Sequence, residues 1–280
     1  MNSKFRGSLF GVLIGDCCGA IFEGEAFDAG QRLILKNFLK NVETAKSGVP
    51  RLKYTDDTAT TKSVATCLIN YNSQNYQKDL AVNFVKEYFT SPSRGYGSGV
   101  TDLFHQLKQS KFEDFLAPAT YQFGGRGSFG NGAAMRVSPV ALFCFNKPDL
   151  LVDLVKKTSV VTHSNPIGVN GAILQALAVQ QSLKMDAAQG LDPLKFLDEL
   201  LENLKKIETG ADDQSKDGPA NSFKDTLEYT ISLGGDTDTI ASMACALSGA
   251  YLGEEHLPQN LIKRCEGSEE IAQLADKLVL

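Results

Sequence analysis

Gly7, Gly11, Gly15 and Gly19 recur every four residues through the apolar run that opens the chain. Four residues is close to one helical turn, so a helix here carries its glycines as a bare stripe along one side. Glycine costs roughly 1 kcal/mol relative to alanine in a helix interior, so four of them need compensation. The spacing predicts that a second helix approaches this stripe closely, at the centre of a bundle, and that the first helix ends near Phe22-Glu23. The run from Leu9 to Ile21 is short and contains Asp16, which excludes a membrane span.

Helical spacing dominates elsewhere too. Ala81, Phe84, Val85 and Tyr88 fall at i, i+3, i+4 and i+7; Leu197, Leu200, Leu201 and Leu204 repeat that spacing, and Ile271, Leu274 and Leu278 follow it near the end. Such stripes place apolar groups on one face of a 3.6-residue helix. Alternating, β-branched runs are scarce, so the fold expected is all-α, with about nine or more helices. A length of 280 residues suits one large domain or two small ones. The stretch Glu208 to Asn221 is polar and without large apolar residues. It reads as a flexible surface loop inside a single domain over 1–280, because the motifs below lie on both sides of it.

The net charge is −5 and no Lys/Arg-rich tract interrupts it, which argues against direct nucleic-acid binding through phosphate contacts. The six cysteines, Cys17, Cys18, Cys67, Cys144, Cys245 and Cys265, form no CxxC pair. They read as reduced thiols of an intracellular protein. The opening MNSKFRGSLF carries no secretory or Arg-rich transit signal, so cytoplasm or nucleus is the expected location, with no membrane association and a monomeric state.

Two motifs carry the chemistry. Tyr54-Thr55-Asp56-Asp57-Thr58 and Gly234-Gly235-Asp236-Thr237-Asp238-Thr239 are each followed at once by a helix-like run. Thr and Asp are preferred N-caps, and acidic groups there suit the helix dipole, so capping alone accounts for one such residue per motif. Each motif offers two carboxylates plus hydroxyls. If the two helix starts meet, four carboxylates share a pocket, and a divalent cation relieves their repulsion. Oxygen-only ligands select a hard ion such as magnesium, which takes about six oxygens at roughly 2.1 Å, whereas zinc prefers His or Cys. Four Asp and two or three Thr suffice for two ions about 3.5–4 Å apart.

Glu23 lies where the glycine-striped helix gives way to irregular chain. It is either a plain surface residue or a general acid/base at the mouth of the metal pocket. The run Phe123-Gly124-Gly125-Arg126-Gly127-Ser128-Phe129-Gly130-Asn131-Gly132 holds five glycines in ten residues and leads into a helix-like stretch from Ala133 to Phe145. It is a flexible connector, or a cradle whose backbone N–H groups suit a diphosphate, with Phe123 or Phe129 stacking on an adenine or ribose face. Arg94-Gly95-Tyr96-Gly97-Ser98-Gly99 adds to the same wall on the second view. His163, one of three histidines, reads as a loop residue near that site, structural if taken alone.

Taken in order, Phe5-Arg6-Gly7, Gly15-Asp16, Glu23, the Tyr54–Thr58 motif, Gly127-Ser128-Phe129-Gly130-Asn131-Gly132-Ala133-Ala134-Met135-Arg136 and Ser232-Leu233-Gly234-Gly235-Asp236-Thr237-Asp238-Thr239 resemble the ADP-ribosylglycohydrolase family over nearly the whole chain. Arg94–Gly99 and Asn170–Val179 resemble its serine-type, poly(ADP-ribose)-degrading branch more than the arginine-type enzymes. The resemblance implies two Mg²⁺ ions held by Thr55, Asp56, Asp57, Asp236, Asp238 and Thr239. It implies Glu23 at the reacting centre, and a substrate site made by Asp56, Phe123, Arg126, Gly127, Ser128, Phe129, Gly130, Asn131, Gly132 and His163. The activity implied is magnesium-dependent cleavage of the O-glycosidic bond between ADP-ribose and protein serine, extending to poly(ADP-ribose) and O-acetyl-ADP-ribose, with ADP-ribosylated proteins as partners. Two features depart from the family pattern. Phe129 stands where members usually carry Tyr, and the stretch from His163 to Gly234 is short and lacks a helix with a Gly-Asn-Gly and Glu-Ser-Val-Pro-Thr-like signature. The rival expectation is a non-catalytic relative, either an ADP-ribose-binding module or a crystallin-like structural protein.

Overall fold

The computed structural model describes residues 1–44, 51–205 and 222–279. The polar stretch expected at 208–221 lies outside the described residues. Among those described are fourteen α-helices: α1 (Asn2–Gly19), α2 (Ala29–Thr44), α3 (Asp56–Ile69), α4 (Tyr76–Thr90), α5 (Ser98–Gln109), α6 (Ala117–Gly125), α7 (Ser138–Phe143), α8 (Pro148–Ser159), α9 (Pro166–Lys184), α10 (Pro193–Lys205), α11 (Phe223–Ile231), α12 (Thr237–Leu252), α13 (Gln259–Arg264) and α14 (Ser268–Leu278). The only extended pairing described is an isolated bridge, Leu52 to Cys265. The fold is all-α, as the periodicity predicts. No helix among the described residues is long and apolar enough to cross a membrane.

Two compact units make up the chain. One comprises Met1–Lys53 and Leu177–Ala272, the other Tyr54–Ala176 and Gln273–Leu280.

In the first unit, α1 is buried on nearly every side from Phe5 to Gly19, and its glycine stripe meets α12. A Cβ on Gly7, Gly11, Gly15 or Gly19 would strike the backbone of Gly249, Cys245, Ala241 or Thr237 respectively. The two backbones therefore touch along their length, and the dispersion gained offsets the helix cost of glycine. Helix α1 ends at Gly19, earlier than the sequence suggests. Thr237 Oγ1 donates to the Gly19 carbonyl at 2.8 Å, and the Phe22 N–H turns back onto that same carbonyl at 2.8 Å. Phe22 is buried, with its ring 5.8 Å from Phe27 and 5.6 Å from Phe38. That anchor holds the turn carrying Glu23. All six cysteines are free and buried.

In the second unit, Ala81, Phe84, Val85 and Tyr88 are all buried, as their spacing requires. The helix expected from Ala133 to Phe145 is broken instead. A 3₁₀ turn covers Asn131–Ala133, and α7 begins only at Ser138, with Pro139 in its first turn. Proline is tolerated there and not in a helix interior.

Candidate functional site: an acidic turn and a glycine-rich loop

In the first unit, consecutive glycines make the acidic turn possible. Gly234 and Gly235 both sit at φ +75°, a left-handed conformation that favours glycine. The Gly24 N–H donates to the Gly235 carbonyl at 3.0 Å. A Cβ on Gly234 would lie 3.2 Å from the Glu25 carbonyl oxygen. The two turns thus lie side by side, and carboxylate oxygens of Glu23, Asp236 and Asp238 fall within 4.8 Å of one another. Glu23 and Asp236 are exposed and Asp238 is buried. Asp236 is the N-cap of α12 and Asp238 lies in its first turn, where the Thr239 N–H donates to Asp238 Oδ1 at 2.9 Å.

Three carboxylates at this range repel. Burial, a hydrogen bond with Asp236 and the charge of Glu23 together push the Asp238 carboxyl up to about 8. A cation reverses that cost. The donors are all oxygen and one is buried with its neighbours converging on it, which fits a hard divalent ion.

The second unit holds the other acidic motif and the loop. Thr55 is extended and caps α3, its Oγ1 accepting from the Asp57 N–H at 3.4 Å. Asp56 and Asp57 occupy the first turn; Asp57 is buried and Asp56 half-buried. Arg94 supports this turn in a way its sequence context does not show. Its guanidinium lies 3.6 Å from the Tyr54 ring centroid and donates to the Tyr54 carbonyl at 2.8 Å, while its own carbonyl accepts from the Asp56 N–H at 2.8 Å. The Arg94–Gly99 segment is thus a brace for the acidic turn, and the only hint in the sequence is an arginine beside a glycine.

The run from Phe123 to Gly132 is a fixed loop. Phe123, Gly124, Gly125 and Gly127 all take positive φ. A Cβ on Gly127 would collide with Ser164, and the Arg126 carbonyl accepts from Asn165 Nδ2 at 2.9 Å. Gly168, in the first turn of α9, lies against the backbone of Ser128, Phe129 and Gly130; a Cβ there would be 3.0 Å from the Ser128 carbonyl oxygen. The loop therefore rides on the N-terminal, anion-favouring end of a 19-residue helix. Phe123 and Phe129 are each about half exposed, with ring centroids 5.7 Å apart. Arg126 and Asn131 are exposed, and Ser128 and Gly132 half-buried. His163 is buried beneath the loop, its ring against Gly132. Burial and the nearby Arg136 charge lower its pKa to about 3, so the imidazole is neutral.

Each sequence-derived residue thus has a place. The first unit gathers Glu23, Asp236 and Asp238, with Thr239 buried in the same turn; the second gathers Thr55, Asp56 and Asp57 at one helix start, and Phe123, Phe129 and His163 about one loop.

The sequence pattern of the ADP-ribosylglycohydrolase family matches residues 1–218 and 211–280. The chain belongs to the ADP-ribosylglycohydrolase family and is a glycosidic-bond hydrolase by class. It is 36% identical to "ADP-ribosylhydrolase ARH3" of Danio rerio, over 99% of this chain and 90% of that one. It is 33% identical to the protein of the same name from Xenopus tropicalis, over 99% and 95%, and 34% identical to that from Homo sapiens, over 99% and 93%. The alignment to the Xenopus tropicalis protein runs over 342 positions, so that relative has residues with no counterpart in these 280. In fold, the chain resembles a solved "ADP-ribosylglycohydrolase-related protein complex", with a TM-score of 0.70 at 22% identity over 99% of this chain and 97% of that one.

Proposed function

We propose that this hydrolase cleaves the O-glycosidic bond between ADP-ribose and a protein serine in a magnesium-dependent reaction, and that it also acts on poly(ADP-ribose) and O-acetyl-ADP-ribose. One observation carries the reading: Glu23, Asp236 and Asp238 converge at the head of the GGDTDT turn. A carboxylate at such a turn serves proton transfer to a glycosidic bond, and its acidic neighbours suit a hard divalent cation.

On this reading Asp236, Asp238 and Thr239, with Thr55, Asp56 and Asp57, are the residues that bind two Mg²⁺ ions. Bound magnesium supplies Lewis-acid polarisation of its oxygen ligands. Glu23, exposed at the end of its turn, exchanges a proton with the reacting group. The N–H groups of Gly127 to Gly132, at the start of α9, hold the diphosphate. Asp56 and Arg126 hold further polar groups of the substrate, together with Ser128, Asn131 and His163. Phe123 and Phe129 stack on the nucleoside. The chain acts as a monomer on ADP-ribosylated proteins.

The test is release of ADP-ribose from a serine-modified peptide, run beside arginine-modified and poly(ADP-ribosyl)ated substrates. Release from the serine peptide, lost on chelation and in Glu23→Gln, is the expected result. Undiminished turnover after chelation ends the metal part of the proposal, and preference for arginine ends the serine part.

One observation favours a second reading. The family match divides at 211–218 and the relatives carry unmatched residues, as a binding relative without turnover would. Calorimetry separates the two: ADP-ribose binding with no hydrolysis marks the second.

A further inference from the structure

Arg136 is the largest fully buried side chain described, 1% exposed. A guanidinium taken out of water calls for a carboxylate or a full set of acceptors. Arg136 has neither. No ion pair reaches it among the described residues, and its Nε has no hydrogen-bond partner. It lies 4.5 Å from the Phe84 ring centroid. Its Nη2 donates at 3.4 Å to the Thr158 carbonyl and at 2.7 Å to Thr162 Oγ1. An under-satisfied buried cation is a poor device for stability, so its use lies in what it touches.

The polarity of the next link follows from the groups themselves. Arginine only donates, so Thr162 Oγ1 accepts from it. Thr162 is 1% exposed, and its own hydroxyl hydrogen needs an acceptor. His163 Nδ1 lies 2.7 Å away. With Nδ1 accepting, a neutral imidazole carries its hydrogen on Nε2. That edge faces the glycine-rich loop: a Cβ on Gly132 would lie 3.0 Å from Nε2 and one on Gly130 3.7 Å from it. Glycine at both positions leaves room for that edge directly beneath the loop.

We propose that Arg136, acting through Thr162, is a positioning residue that fixes His163 as an Nε2–H donor turned toward the 127–132 loop, where it meets an oxygen of bound ADP-ribose. The ligand half rests on the proposed function; the tautomer half does not.

The test is long-range ¹H–¹⁵N NMR of histidine-labelled protein without ligand, joined to calorimetry with ADP-ribose. His105 and His256 are exposed and serve as internal references. The expected wild-type signature is Nε2–H with an unprotonated, accepting Nδ1. Thr162→Val removes the hydroxyl at nearly constant volume and is expected to release the ring into mixed tautomers and to raise the ADP-ribose Kd about tenfold, one hydrogen bond's worth. Arg136→Lys keeps a donor and keeps the tautomer, whereas Arg136→Met loses it; should Arg136→Met not fold, Thr162→Val decides alone. An Nδ1–H wild-type ring, or a tautomer unmoved by Thr162→Val, overturns the proposal. A released tautomer with unchanged Kd overturns its ligand half. A locked wild-type ring in a protein that binds no ADP-ribose leaves the lock standing and sinks the proposed function instead.

Discussion

Glu23 and Asp238 come from opposite ends of the chain, yet their carboxylate oxygens, with one from Asp236, lie within 4.8 Å of each other. Without a cation this contact is a burden on the fold. Asp238→Asn keeps the shape, and the amide oxygen still accepts the Thr239 N–H. In EDTA the variant should therefore melt above wild type, by about 2–4 °C. On the proposed function the order should reverse in magnesium, since a ligand at 100 times its Kd stabilises by about 2.7 kcal/mol and the variant would lack one of its binding groups. Differential scanning calorimetry in both buffers checks it; a variant less stable than wild type in EDTA would contradict the argument.

The α1–α12 contact makes an opposite pair of predictions for one kind of substitution. Gly11→Ala places a methyl group into the Cys245 backbone, which neither helix can yield without moving the other. A loss of about 3 kcal/mol or more is expected. Gly171, exposed in α9 with open space at its Cβ position, should behave conversely. Gly171→Ala gains about 0.5–1 kcal/mol from helix propensity alone. Urea denaturation of both variants tests the contrast.

How far the sequence reveals this architecture depends on whether a signal is local. The glycine repeat in α1 shows on its face, and its complement is visible once sought, since Ala241, Cys245 and Gly249 share the same spacing. The GGDTDT and TDDT turns show because capping and ligation ask for the same residues at helix starts. The end of α1 does not show, because Thr237, which takes the Gly19 carbonyl, lies 218 residues further on. Arg94 and Arg136 are illegible for the same reason. One braces a turn 40 residues upstream and the other reaches Thr162, 26 residues downstream, and no periodicity marks either.

Arg94 offers a test of that brace. Arg94→Lys retains the charge but not the planar stack on Tyr54 or its fixed fork of donors. The Asp56–Asp57 turn should loosen, with magnesium affinity falling about tenfold and little change in far-UV circular dichroism. Unchanged magnesium titration curves would show the brace to be dispensable.

His163 governs a pH response. Its folded pKa is lowered to about 3 by burial and then by Arg136, against about 6.5 in the unfolded chain. Above pH 6.5 both states are neutral and the group has no effect. As pH falls below that, only the unfolded chain takes up the proton, so stability is lost progressively down to about pH 3, by up to about 5 kcal/mol. Arg136 stays charged throughout this window and does not offset the loss. Denaturant midpoints of wild type and His163→Gln at pH 7.5, 6 and 5 isolate the effect: the difference between the two proteins should shift in the variant's favour as pH falls. Parallel curves would mean that His163 is charged in the folded state.

Phe123 and Phe129 present a last case, because their half-exposed rings contact each other. Phe123 even adopts φ 52°, a left-handed conformation that is unusual for a bulky residue and is retained where surroundings impose it. On the proposed function this exposed aromatic pair is a stacking platform for the base, worth about 1–3 kcal/mol per stacked ring. Phe123→Ala should weaken ADP-ribose binding about tenfold or more while leaving kcat nearly constant, since on the proposed function the ring stacks on the nucleoside and stands away from the reacting bond. Phe129→Tyr adds a hydroxyl at an exposed edge and should leave stability unchanged. Calorimetric titration of both variants with ADP-ribose, read beside kcat on a modified peptide, decides it. A Phe123→Ala protein that binds normally but turns over slowly would move this ring from the nucleoside to the reacting centre.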